Sequence, residues 1–165
     1  MGDVLVYMDP TINARLLAFA RPLADALGDS LVAVVASGEP VDAAPLAAAD
    51  VIVEVTHPAL ASYLPEAHQA VLSAVIAERS PDMVLVENTT AGYDLGAAAA
   101  GAADVPFVGY CLGLSLAGEQ AESTSGIYGG QGQSALGCYR LGRYPLHDHL
   151  EHQEVFVTSI EVKVA

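Results

Sequence analysis

Several groups of residues carry side chains able to do chemistry. Asp9, with Pro10 and Thr11, ends the first apolar run, Val4 to Met8. Open parallel sheets bind ligands beyond the carboxyl ends of their strands, which makes Asp9 a candidate nucleotide contact; Asp9-Pro10-Thr11 also reads as an ordinary N-cap and turn. Thr89, Thr90, Gly92 and Asp94 follow the run Met83 to Val86. Hydroxyls and a helix start at that place could receive the phosphate of a nucleotide, and the same threonines would equally cap free helix amides. Gly130-Gln131-Gly132-Gln133-Ser134-Ala135 has the spacing of a dinucleotide loop, yet that loop must leave a strand and open a helix. Here it enters a strand and reads as a glycine-rich hairpin. His147, Asp148, His149, Glu151 and His152 are ligand types for a divalent transition metal. On a strand His147 and His149 share a face and His152 does not, so the segment reads as a solvated loop with no metal site. His57 and His68 read as helix-edge or surface residues, since no nucleophile accompanies them.

The elements that must position these residues alternate along the chain. After the first strand, Ile12, Leu16, Leu17, Ala20, Leu23, Ala24 and Leu27 recur at spacings of three and four, which predicts a helix with one buried face. Gly28 closes it. Leu31 to Ala36 predicts a second strand, Pro45 to Ala49 a short helical turn, and Val51 to Val55 a third strand. A long helix follows, with Leu64, Val71, Leu72, Val75 and Ile76 on one face and Pro58 and Pro65 at its approach and first turn. Ser80-Pro81-Asp82 ends it before the fourth strand, Met83 to Val86. Tyr93 to Ala103 predicts an alanine-rich helix and Val105 to Leu112 a fifth strand. Strands and helices alternating at this pitch require crossovers, hence a parallel sheet covered on both faces. Beyond Gly113, the segments Leu114 to Leu116, Ala121 to Tyr128, Gln133 to Tyr139 and Val155 to Val164 read as antiparallel hairpin strands added to one edge.

Length and composition narrow the function classes. The 165 residues are 53% hydrophobic and 16% charged, enough apolar surface for one folded domain over residues 1–165. Six basic residues against twenty acidic ones leave a net charge of −14, which repels phosphate backbones and anionic lipid headgroups. Tryptophan is absent and aromatic residues make up 6%, a poor supply of stacking platforms for bases. Nucleic acid and membranes are therefore not expected partners. No apolar run is long enough to span a bilayer, and Met1-Gly2-Asp3-Val4 lacks the order of a signal peptide, which predicts a cytoplasmic protein. Cys111 and Cys138 lie in apolar surroundings and read as buried thiols.

Three motifs in order resemble the N-terminal domain of the electron transfer flavoprotein alpha subunit. Pro58-Ala59-Leu60-Ala61-Ser62-Tyr63-Leu64 is similar to the family's D-P-A-L-A-x-Y, with His57 in place of the aspartate. Pro81 to Val86 running into Thr89-Thr90-Ala91-Gly92-Tyr93-Asp94-Leu95 is similar to T-x-x-G-R-D-L. Ile127-Tyr128-Gly129-Gly130 resembles R-P-I-Y-G-G. The likeness extends in architecture from Val4 to about Arg140. It implies a three-layer Rossmann-like sheet of the adenine nucleotide alpha hydrolase-like kind, and it makes Tyr128, Gly129 and Gly130 candidate partner-interface residues.

Departures from the family pattern carry information too. Tyr93 stands where the family has arginine, Ala97 and Ala98 replace Pro-Arg, and Ser125-Gly126 replaces Arg-Pro. None of these replacements offers a guanidinium's forked donors. Full alpha subunits carry a C-terminal domain with most of the FAD site, so the resemblance implies that this chain alone binds no cofactor. FAD, and AMP, would sit on a partner chain. The expected role is a non-catalytic scaffold or interaction domain in a flavin-dependent electron-transfer system, as a homodimer or as a heteromer with an electron transfer flavoprotein beta-like or flavin-domain chain. The competing reading is an AMP- or ATP-binding protein of the universal-stress-like type. Those proteins place an aspartate at the position of Asp9 to hold adenosine, but the glycine loop they use for phosphate is missing after the fourth strand.

Overall fold

The computed structural model describes residues 2–8, 14–117, 120–127, 132–139 and 156–160, with the backbone alone for 117, 120, 125–127, 132–139 and 156–160. Its first strand, β1 (Asp3–Met8), is buried from Val4 onward. Alternate side chains of such a strand serve opposite faces. Val4, Val6 and Met8 join one core with Leu16, Leu17, Ala20, Leu23 and Ala24 of helix α1 (Ala14–Leu27). Leu5 and Tyr7 join the other core, with Leu72, Val75 and Ile76 of α2 (Pro65–Arg79) and Leu95, Ala99 and Ala100 of α3 (Thr90–Ala103). The strands β2 (Ser30–Ser37) and β4 (Met83–Glu87) divide their side chains in the same way. Helices thus cover both faces, the three-layer α/β architecture that the alternating pattern predicts.

The third strand, β3 (Val51–Thr56), alternates half-buried Val51, Val53 and Val55 with exposed Ile52 and Glu54, as an edge strand should. β5 (Phe107–Ala117) runs without a break through the segment expected to be a separate short strand at Leu114 to Leu116. β6 (Gln120–Ile127) and β7 (Gly132–Tyr139) extend the sheet as antiparallel neighbours. The last strand, β8 (Phe156–Ile160), corrects the expectation of an edge hairpin. It lies between β4 and β5 and is parallel to both, giving the order β3-β2-β1-β4-β8-β5-β6-β7. Val-rich pattern alone does not distinguish an added edge from an inserted central strand, because pairing across the sheet is a long-range property.

Local chemistry sets the boundaries. Gly28 follows α1 with φ 71, and Ser80 and Asp104 end α2 and α3 in the left-handed conformation at φ 46 and 55. Pro22 lies inside α1, where it removes one backbone hydrogen bond; the buried apolar stripe keeps the helix on the sheet regardless. Pro58 opens a 3₁₀ turn, Pro58–Leu60, and Pro65 opens α2. Leu64, expected on the buried face of that helix, instead precedes it and is 46% exposed. Arg21 ties α1 to the start of β3 through Asp50 at 2.7 Å, and Arg79 ties α2 to β1 through Asp3 at 2.8 Å.

Replacing a fully buried central side chain tests the two-sided core. Leu85→Ala should lower the unfolding free energy by about 2–5 kcal/mol with an unchanged denaturant slope. Ile52→Thr, on the exposed side of β3, should stay within about 0.5 kcal/mol.

Candidate functional site

Strand order reverses between β1 and β4, since the chain winds outward from β1 through β2 to β3 and then crosses to β4. Loops leaving adjacent strands on opposite sides open a crevice at such a point. A cleft of about 200 Å³ lies there. Tyr7 comes from the end of β1, Val86 and Glu87 from the end of β4, and Thr89, Ala91, Gly92 and Leu95 from the start of α3. Leu60 to Tyr63, ahead of α2, and His68 within it form the remaining wall.

His68 is 6% exposed, not the surface residue its sequence context implies. Its ring Nε2 lies 3.3 Å from the Ser62 carbonyl, which can only accept, so Nε2 carries the proton there. Nδ1 then accepts from the Tyr7 hydroxyl at 2.7 Å. Both ring nitrogens are thereby hydrogen-bonded. His68 also packs against Tyr7 edge-on and against Tyr63 at a centroid distance of 5.3 Å. His57, by contrast, is exposed, and its Nδ1 accepts the Ala59 amide at the start of the 3₁₀ turn.

Tyr63 donates to Asp94 Oδ2 at 2.8 Å. Partial burial, then that hydrogen bond, then the negative charges of Asp94 and Glu66 push its hydroxyl up to about 12. Thr89 is the N-cap of α3, its hydroxyl oxygen accepting the Gly92 amide at 3.0 Å. Capping therefore occupies one of the first-turn amides that an anion could use. Gly92 is required by proximity: a β-carbon there would collide with the backbone carbonyl of Glu87. Thr90 is the first residue of α3, exposed and outside the cleft lining.

Of the residues singled out from sequence, the structure thus brings Thr89 and Gly92 into the cleft and Asp94 to its mouth. Asp9, Tyr128, Gly129, Gly130, His147, His149 and His152 lie outside the described residues. Gly132 to Ala135 lie in β7, so the glycine-rich segment enters a strand, as its hairpin reading expects. Cys111 is buried with its thiol donating to the Gly113 carbonyl at 3.0 Å. Tyr7, Tyr63 and His68 are the site residues that sequence reasoning missed. A lone tyrosine ending an aliphatic strand was the available signal for Tyr7, and the Pro-Ala-Leu-Ala-x-Tyr motif for Tyr63; His68 had none.

These observations define a Rossmann-like α/β domain with its cleft at the switch point. Residues 11–140 match the family model of the electron transfer flavoprotein domain, and the chain belongs to that family. A search of curated proteins returned no match. The described cleft is smaller than the ~300–1,000 Å³ typical of small-molecule sites, and among its described lining residues there is no arginine or lysine, while Glu87 is part of its wall.

Two measurements check this geometry. Gly92→Ala should destabilise the fold by about 1–3 kcal/mol in urea unfolding, because the start of α3 must retreat from the end of β4. In a spectrophotometric titration Tyr63 should ionise near pH 12, and Tyr63→Phe should remove that step. The folded-state value lies above the ordinary tyrosine value, chiefly through burial and then through the Asp94 hydrogen bond, so the stability linked to protonated Tyr63 is present below pH 10 and lost as the pH rises from 10 to 12.

Proposed function

We propose that this chain is a non-catalytic interaction domain in a flavin-dependent electron-transfer system, with the flavin carried by a partner chain. Family membership over residues 11–140 supports the electron-transfer setting. The observation that carries the rest is the cleft itself. At the place where a related sheet would hold a nucleotide, the Gly92 amide is capped by Thr89, both ring nitrogens of His68 are hydrogen-bonded, and among the described lining residues there is no cation to meet a phosphate. The cofactor supplies redox chemistry in flavoproteins, while the protein positions and tunes it. The protein would work in the cytoplasm, as a homodimer or in a heteromer with a beta-like or flavin-domain chain. Among the described residues no helix is long and apolar enough to cross a membrane.

The competing assignment, an AMP or ATP binder, rests on the position of the cleft and on Asp9, which follows β1 in the sequence. Calorimetry separates the two. Titrating the purified chain with AMP, ATP and FAD to millimolar concentration should give no saturable heat, and size-exclusion chromatography with an electron transfer flavoprotein beta-like chain should give a co-eluting assembly. Saturable adenine-nucleotide heat that Asp9→Asn abolishes would establish the competing assignment instead.

A further inference from the structure

The wall of the cleft ahead of α2 buries little of itself. From His57 to Leu64 every residue except Leu60 is exposed, and Leu60 is the side chain this run commits to the core. A segment with so little apolar burial depends on its polar anchors to stay in place. Its entry is fixed by the His57 amide, which donates to the Ser37 carbonyl at the end of β2 at 2.9 Å. Its exit is fixed by the Ser62 carbonyl on His68 and by the Tyr63 hydroxyl on Asp94. Between them lies the 3₁₀ turn Pro58–Leu60. Pro58 has no amide hydrogen, and the Leu60 amide already donates to the His57 carbonyl at 2.8 Å. The Ala59 amide is therefore the donor at the start of the turn that needs a side chain, and it meets His57 Nδ1 at 3.1 Å.

Serine, threonine, aspartate and asparagine cap through oxygens that remain acceptors across neutral pH. A ring nitrogen accepts only while it carries no proton. A proton and the Ala59 amide thus compete for one lone pair on His57, and once Nδ1 is protonated two N–H groups face each other. The amide cannot turn round to accept. His68 differs, because its Nδ1 faces the Tyr7 hydroxyl, a group able to donate or accept. Imidazole is the side chain whose ordinary charge change falls between pH 5 and 8. The other charged or titratable groups on the described elements around the turn are Glu39 beyond β2, Glu54 on β3, Glu66 and His68 on α2, and Tyr63 with Asp94 of α3. Apart from His68 these are carboxylates and a phenol, classes that ordinarily titrate outside that window.

We propose that His57 is a pH-sensitive latch on the cleft: protonation of its ring removes the cap of the 3₁₀ turn and loosens the wall formed by Leu60 to Tyr63. With the ring neutral the turn is capped and the wall is held closed. With the ring protonated, water replaces the cap and the wall opens more often. One cap among several anchors shifts a population and leaves the domain folded. The latch governs access to the cleft and stands apart from the interaction-domain reading.

The test follows the isotope-labelled full chain by nuclear magnetic resonance from pH 8 to pH 5, the window in which imidazole changes charge. Ring signals of His57 and His68 report each titration separately. The Ala59 amide signal should move with the His57 titration. The Leu60 and Ala61 amides, which donate to the His57 and Pro58 carbonyls within the turn, should lose protection from solvent exchange over the same range. After correction for the intrinsic pH dependence that loss should be about fivefold, as expected for one missing cap. His57→Asp, capping through a carboxylate, should hold the protection constant, and His57→Ala should show the low value already at pH 8. A loss that follows the His68 titration, that survives in His57→Asp, or that is missing at Leu60 and Ala61 while Ala59 responds would overturn the proposal. So would His57→Ala with the protection of the parent chain at pH 8. Each variant is decisive against the parent by itself, so a failure of one to fold leaves the other to decide.

Discussion

The structure depends on burying three central strands on both faces. Val4 to Met8, Leu31 to Ala36 and Met83 to Val86 are nearly continuous apolar runs, and almost every side chain in them is removed from water. At roughly 25 cal/mol per Å² of apolar area, leaving either face open would forfeit more than the marginal stability of an ordinary domain. Helices must therefore pack on both faces, α1 on one and α2 with α3 on the other. Covering two faces of one sheet with right-handed crossovers forces the winding direction to reverse somewhere. Here it reverses between β1 and β4, and the cleft exists because of that reversal.

The side chains lining the crevice then decide what the fold can do there. A nucleotide site at this point needs free helix amides and a cation or glycine loop for phosphate. Thr89 closes back on Gly92, Tyr7 and Ser62 occupy both nitrogens of His68, and Tyr63 turns outward to Asp94. Polar groups that could meet a ligand meet one another instead, and beside the cleft Tyr63 and Asp94 pair on the exposed surface.

Much of the architecture was legible from residue order. Apolar runs of strand length alternating with periods of three and four identified the parallel core, and Gly28, Pro65 and Ser80 marked boundaries close to those observed. Leu64 was misplaced because an apolar residue beside a helix start matches the helical period without belonging to the helix. The insertion of β8 between β4 and β5 was illegible, since register with residues more than forty positions away leaves no local trace. The site was less legible still. Thr89 and Gly92 announce themselves as a helix start, whereas the burial of His68 depends on Tyr7, sixty-one residues earlier, and on a turn carbonyl. Mutual hydrogen bonding within a cleft is a property of the assembled structure.

The central claim is that the 165-residue chain is a folded docking platform whose redox partner brings the flavin. The visible spectrum of the chain purified on its own, before and after dithionite, tests this most directly. The account predicts no flavin band and no change on reduction. A band that bleaches with dithionite at one flavin per polypeptide would contradict it.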